Sequence, residues 1–434
     1  MTYAAPTNTL LTDLPPLERP PRTTAVEWGY RLLLFVLLFG NNSLTYGCNQ
    51  LHPLLYRVAD LTGLLGAVGL FVYFFEYPRA YKWVAWILSL SVFALVLESL
   101  DTYGMYMYSF FVVKRLAYCG LALVTYGVAR RAGTLKLGWA VAIVGILFFF
   151  AQVVLGRIFS YGMTSDTRPT SAPETYYLLL PLFFYLMRFR QERRYLDLLW
   201  TLFWFALIVI LLHRSVISSA VFGIAIIIGL SMTNKVAGEG RWSVGRTFST
   251  LLMLVLLSLP FFTALSPKKV DAFLENLGGI AKPTEDETGN WRYEQSLYYW
   301  SKIPERPILG WRYEGYDRGE VMANEDFPAK GTIIHSQYVD MLYNYGAAGL
   351  LLNLLVIGAT LWIMYRRNRQ LTFEQTVLFA FIASGLLFGV SYQLPIYYWS
   401  FVGLGLYYGR DVPLNGEQLT VNGNLAHSPL TTHP

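Results

Sequence analysis

The sequence predicts an all-α polytopic membrane protein with about twelve transmembrane helices. Three observations carry this. Of the 434 residues, 54% are apolar and only 14% charged, against about 25% charged in soluble domains. The apolar residues gather into runs near the roughly twenty residues that a bilayer core requires of a helix. The connections between the runs alternate between basic and nearly cation-free, as cytoplasmic and outer loops do. Aromatic residues reach 16%, and Tyr and Trp favour the membrane–water interface.

The runs centre near Leu34, Leu65, Ser91, Leu116, Gly145, Leu182, Trp204, Ile224, Val255, Val356, Ala383 and Val402. Alternate connections carry Arg79 and Lys82; Arg130, Arg131 and Lys136; Arg188, Arg190, Arg193 and Arg194; Lys235, Arg241 and Arg246; and Arg366, Arg367 and Arg369. The opposite short connections hold little beyond Arg168 and Arg214. This places both termini in the cytoplasm and implies an even number of spans. The net charge of +6 then belongs to cytoplasmic loops. Nucleic acid is not an expected partner; membrane lipids are.

The organisation follows. Residues 1–25, rich in Pro and Thr, read as a disordered cytoplasmic tail, and 26–265 hold the first nine helices. Residues 266–337 form one long extracytoplasmic loop between helices 9 and 10, 338–410 hold the last three, and 411–434 form a polar cytoplasmic tail. Cys48 and Cys119 stand alone, so neither a disulfide framework nor a zinc spacing is present.

The long loop is where chemistry is expected. Loops above about fifteen residues are functional or disordered, and this one is too aromatic for disorder. Tyr293, Leu297 and Trp300 recur at helical spacing, and Pro304 and Pro307 end the run. They predict a short amphipathic helix lying on the outer membrane surface.

His335 ends the loop. The local pattern is His335-Ser336, nine residues, Gly346, two residues, Gly349. The glycines let backbones approach closely or let the helix break, with the histidine expected one or two turns above them. An ordinary imidazole pKa near 6.5 suits a general base at neutral pH.

His-Ser-x9-Gly-x-x-Gly at the exit of a large outer loop resembles the signature of the O-antigen ligase and O-antigen polymerase superfamily. Trp291-Arg292, Trp300 and Pro307-Ile308-Leu309-Gly310 resemble that family's arginine-bearing loop helix and Pro-Leu-x-Gly turn. Trp311-Arg312 stands where the family often continues Gly-x-Gly. The resemblance covers about Leu54 to Tyr408 in layout and is specific at residue level in about 291–350. It implies a fold of the membrane glycosyltransferase C type in the bacterial inner membrane. It implies an inverting enzyme that joins sugars carried on a polyprenyl diphosphate, with a glycan or lipid acceptor and a flippase and a chain-length regulator as partners.

Such transfer needs cations for the diphosphate and a base for the acceptor. Arginine binds phosphate bidentately and stays charged. Arg214, in His213-Arg214-Ser215 at an outer turn, resembles the family's Ser-Arg element. Arg292 resembles its loop arginine, and Arg157 resembles an arginine closing the fifth span. Each of the three otherwise reads as a cation snorkelling to lipid headgroups. Lys114 and Arg115 lie inside the fourth span, where each cation costs about 2.5–3.5 kcal/mol at a helix centre. They are expected to face a cavity or carboxylates such as Glu98 and Asp101, and join the substrate-binding candidates. No Asp-x-Asp or His-rich spacing stands out in the outer loop. Metal-independent transfer without a cofactor is the simpler expectation.

Within this class, a polymerase of lipid-linked repeat units is favoured over an O-antigen ligase or a protein oligosaccharyltransferase. All three share the histidine motif. A secondary transporter or flippase shares the layout, but transporters show two similar halves, and this sequence shows no such repeat.

Overall fold

The computed structural model describes residues 25–40, 68–70, 72, 74–77, 79–104, 114–132, 136–150, 170–238, 287–311 and 334–410. Its helices are α1 (Ala25–Phe39), α2 (Arg79–Tyr103), α3 (Lys114–Ala132), α4 (Leu137–Phe149), α5 (Ala172–Tyr176), α6 (Leu179–Glu192), α7 (Tyr195–Ile210), α8 (Arg214–Met232), α9 (Glu287–Lys302), α10 (Gln337–Arg367), α11 (Phe373–Ser391) and α12 (Ile396–Arg410). Among the described residues, β-pairing is limited to one isolated parallel bridge, Val236 to Leu371. The expected apolar centres fall on these helices, except Leu65 and Val255, which lie outside the described residues.

Among the described residues, four helices are long and apolar enough to cross a membrane: Tyr81–Asp101 within α2, α8, α10 and α11. The bent pair Tyr118–Ala132 and Leu137–Phe149 adds a fifth if it is one span. The outer surfaces agree with a lipid solvent. On α2, Trp83, Trp86, Ile87, Leu90, Phe93 and Leu97 are all exposed, a bare apolar face that a water-soluble helix avoids. In contrast, α12 is buried on all sides from Ile396 to Gly409, as a helix that is apolar all round should be. It packs against α3, α10 and α11.

Charge separates the two ends of the bundle. At one end Lys235 donates to the carbonyls of Tyr365 and Asn368, Asn368 donates to Gly409, and Gln191 to Ala237. These bonds gather the connections that carry Arg190, Arg193, Arg194, Arg366, Arg367, Arg369 and Arg410. At the other end His213 meets the Thr170 carbonyl, Tyr397 donates to Pro173, and Gln393 donates to Ile334. Among the described residues that end carries fewer cations, Arg214, Arg292 and Arg306 among them, and α9 joins the bundle there.

One helix is not a rod. Gly346 interrupts α10 with φ 64° and ψ −166°. Gln337 and Asn353 would stand about 24 Å apart on an uninterrupted helix, yet their side chains are hydrogen-bonded at 3.4 Å. The chain therefore folds back at Gly346, and Gln337–Tyr345 runs alongside the helix it precedes. This corrects the expected position of His335. It does not stand above the glycines but returns beside the bundle.

The break exposes backbone groups, and the loop satisfies them. Ala347 donates to the Pro307 carbonyl at 2.8 Å and Ala348 to Ile308 at 3.2 Å. In return the Trp311 N–H donates to Tyr343 at 2.7 Å. Gly310, also at positive φ (72°), brings the two backbones together. A Cβ on Gly310 would lie 2.5 Å from backbone atoms of Asn344 and Tyr345, and one on Gly346 would lie 2.3 Å from backbone atoms of Ile308. An unpaired backbone group in this setting would cost several kcal/mol.

Gly346→Ala is expected to destabilise the protein by at least the ~1–3 kcal/mol of a left-handed non-glycine residue, with the backbone clash added. Gly310→Ala is expected to do the same. Gly358→Ala, with nothing within 4 Å of its Cβ, should be neutral or stabilising, as alanine is the better helix former. Thermal unfolding of the detergent-purified variants checks this; a wild-type midpoint for Gly346→Ala would refute the lock.

Candidate functional site

The site lies at the cation-poor end, where α9, the start of α10 and the connection after α11 meet. Helix α9 has two faces. Tyr293, Leu297 and Trp300 point outward at 49–56% exposure, on the stripe read from the sequence. Gln295 and Tyr299 are buried on the other side. There Tyr299 packs against Tyr343 at 4.8 Å, and Trp311 stacks on Tyr343. The helix therefore packs one face on the protein and leaves an apolar stripe on the other.

This packing brings Arg292 and His335 together. The His335 N–H donates to Gln295 Oε1 at 3.3 Å. Its ring lies edge-on to Trp291 at 5.5 Å and to Tyr392 at 6.3 Å. Arg292 Nη2 donates to the Tyr392 hydroxyl at 2.9 Å, and the guanidinium lies 4.5 Å from the centre of the same ring. Among the described residues Arg292 Nε is buried and has no hydrogen-bond partner. A buried guanidinium N–H without an acceptor is costly. An anionic oxygen would relieve that cost.

The imidazole is held neutral. Burial, first, and the charge of Arg292, second, push its pKa below the usual 6.5. Both act against the protonated form. A neutral ring near pH 7 can accept a proton, which is what a general base requires.

The neighbouring residues fix the frame. Ser336 is the N-cap of α10, though its side chain makes no capping bond. Gln337 accepts from the Leu394 N–H at 3.0 Å, and Gln393 donates to the Ile334 carbonyl at 2.7 Å. The connection 392–394 thus holds the chain on both sides of His335. Gly349 is buried against Tyr345 just past the break.

Arg214 opens α8 and is partly buried. Helices α8 and α11 pack together, and the Val236–Leu371 bridge joins the end of α8 to the start of α11. They therefore run antiparallel, and Arg214 lies at the same end of the bundle as Tyr392. His213, the residue before it, is buried and tied to the Thr170 carbonyl, which makes it a structural pin. Lys114 and Arg115 begin the described part of α3, but their side chains lie outside the described residues, as does Arg157. The expected pairing of Lys114 and Arg115 with Glu98 and Asp101 therefore lies outside the described residues.

Sequence reasoning missed Tyr392, Gln295 and Gln393. For Tyr392 and Gln393 the visible signal is a polar Tyr-Gln pair between two apolar runs; Gln295 carries none. Among the described residues no group of three or more His, Cys, Asp or Glu is placed to hold a metal ion. No protein-family model matches this chain, and no curated protein is significantly similar to it.

The depressed pKa has a sign that can be checked. It favours the folded protein above the ordinary histidine range, and that contribution is lost as pH falls through the folded value. With carbon-13-labelled imidazoles, the resonance missing in His335→Gln is expected to titrate below 6.5. It should move upward in Arg292→Ala. A titration at or above 6.5 in the wild type would contradict the neutral ring.

Proposed function

We propose that this protein is a polymerase that joins polyprenyl-diphosphate-linked oligosaccharide repeat units at the outer face of the bacterial inner membrane. The carrying observation is the pairing of a neutral, partly buried His335 with Arg292, whose buried Nε has no acceptor among the described residues. The His-Ser-x9-Gly-x-x-Gly resemblance supports the same reading, with about twelve spans of the membrane glycosyltransferase C type and both termini in the cytoplasm. The gathering of basic connections at the opposite end of the bundle agrees with the positive-inside rule.

In this mechanism the donor's polyprenyl tail enters laterally between helices. Its diphosphate is held by Arg292 and Arg214, with Arg157 as a third cation. Two or three guanidinium groups stabilise the charge that develops on the leaving diphosphate. His335 takes the proton of an acceptor hydroxyl, and the resulting oxygen forms a bond to the anomeric carbon. The bond from that carbon to the diphosphate oxygen breaks, and the electron pair leaves with the polyprenyl diphosphate. A single displacement inverts the anomeric centre. The same chemistry serves an O-antigen ligase or a protein oligosaccharyltransferase. The acceptor distinguishes them, and the polymerase needs no acceptor beyond a second lipid-linked glycan.

The test is transfer by the purified protein with a polyprenyl-diphosphate oligosaccharide. His335→Ala is expected to lower turnover by about 10²–10⁴-fold, the usual range for a lost general base. Arg292→Ala should weaken donor use, and the product linkage should be inverted. Unchanged turnover in His335→Ala, or retention at the anomeric carbon, would sink the scheme.

A further inference from the structure

Arg292 sits on a helix that does not itself fix the guanidinium. Its aliphatic stem is long and flexible, and a planar fork binds phosphate well only when its plane is set. Among the described residues its hydrogen bond goes to Tyr392. The same tyrosine lies against the guanidinium with its ring, at 4.5 Å. A face contact fixes the plane and the hydroxyl fixes the rotation within it.

Tyr392 is in turn immobilised. Its ring stacks on Phe388 at 5.3 Å with an 18° angle, and its N–H closes the end of α11 on the Phe388 carbonyl at 3.1 Å. The next two residues bind the chain on either side of His335, through Gln393 to Ile334 and through Leu394 to Gln337. The ring also touches His335 at 6.3 Å. One connection therefore refers the cation and the base to a common frame.

We propose that Tyr392 is a positioning residue that sets the Arg292 guanidinium in the orientation from which it grips a diphosphate. This rests on the glycosyl-transfer reading and adds the residue on which its anion binding depends. Tyr392 acts through Arg292: the ring supplies a cation–π contact, and the hydroxyl supplies an acceptor to the charged group. Both are lost together in Tyr392→Leu, and the hydroxyl alone in Tyr392→Phe.

The experiment is a double-mutant cycle, which separates action through a partner from independent effects. Wild type, Tyr392→Leu, Arg292→Ala and the double variant are compared as purified full-length chains. Two readouts are used: KM for a polyprenyl-diphosphate oligosaccharide donor, and calorimetric binding of inorganic pyrophosphate, which needs no turnover. Tyr392→Leu is expected to raise KM and the pyrophosphate Kd about tenfold, and Tyr392→Phe about threefold, the size of a single contact to a charged group. In the Arg292→Ala background, Tyr392→Leu should change either quantity by less than about twofold. Equal effects in both backgrounds, or wild-type constants in Tyr392→Leu, would overturn the proposal. If Tyr392→Leu fails to fold, the cycle with Tyr392→Phe carries the test. A His335→Ala control keeps the two readings apart. Full transfer in that variant removes the glycosyl-transfer reading, whereas lost transfer with an additive cycle removes only the role of Tyr392.

Discussion

The structure hinges on a backbone-to-backbone lock between a loop turn and a broken helix. A helix that breaks near a membrane leaves N–H and C=O groups without partners, and lipid supplies none. Here the turn Pro307–Gly310 provides carbonyls for Ala347 and Ala348 and the Trp311 N–H for Tyr343. Two glycines at positive φ make the approach possible, since any Cβ would collide with the opposing backbone. Because the partners are main-chain atoms, the lock sets the loop's position and register together. The aromatic contacts Tyr299–Tyr343 and Trp311–Tyr343 extend that hold along the same face.

Everything at the candidate site follows from this register. The lock holds α9 against the folded-back start of α10, so Trp291 and Gln295 meet His335. The reversal at Gly346 turns Gln337 back towards Asn353 and the connection after α11. A straight helix would have carried His335 away from that connection. The site is thus assembled from three segments far apart in the chain, each held by hydrogen bonds to backbone atoms.

The electrostatics pair a cation with a base without letting them neutralise each other. Burial, and then the field of the Arg292 guanidinium, hold the His335 pKa below its ordinary value. The combination suits chemistry in which negative charge arrives beside an acceptor proton. An anion bound to Arg292 would screen that field, raise the basicity of the ring and so strengthen the base when substrate is present.

Much of this molecule was legible in its sequence. Apolar runs and alternating basic loops located the helices, because lipid imposes length and charge rules on each segment separately. The outward stripe Tyr293, Leu297, Trp300 and the glycines of the motif were readable for the same reason, as local patterns. What required the tertiary structure was everything that depends on two segments meeting. The inward face of α9, the sharp reversal at Gly346, the partnership of Gly310 with it, and Tyr392 beneath Arg292 leave no periodic trace. A hydrogen bond between residues a hundred positions apart is decided by the packing of the whole bundle, and no window of sequence contains both partners.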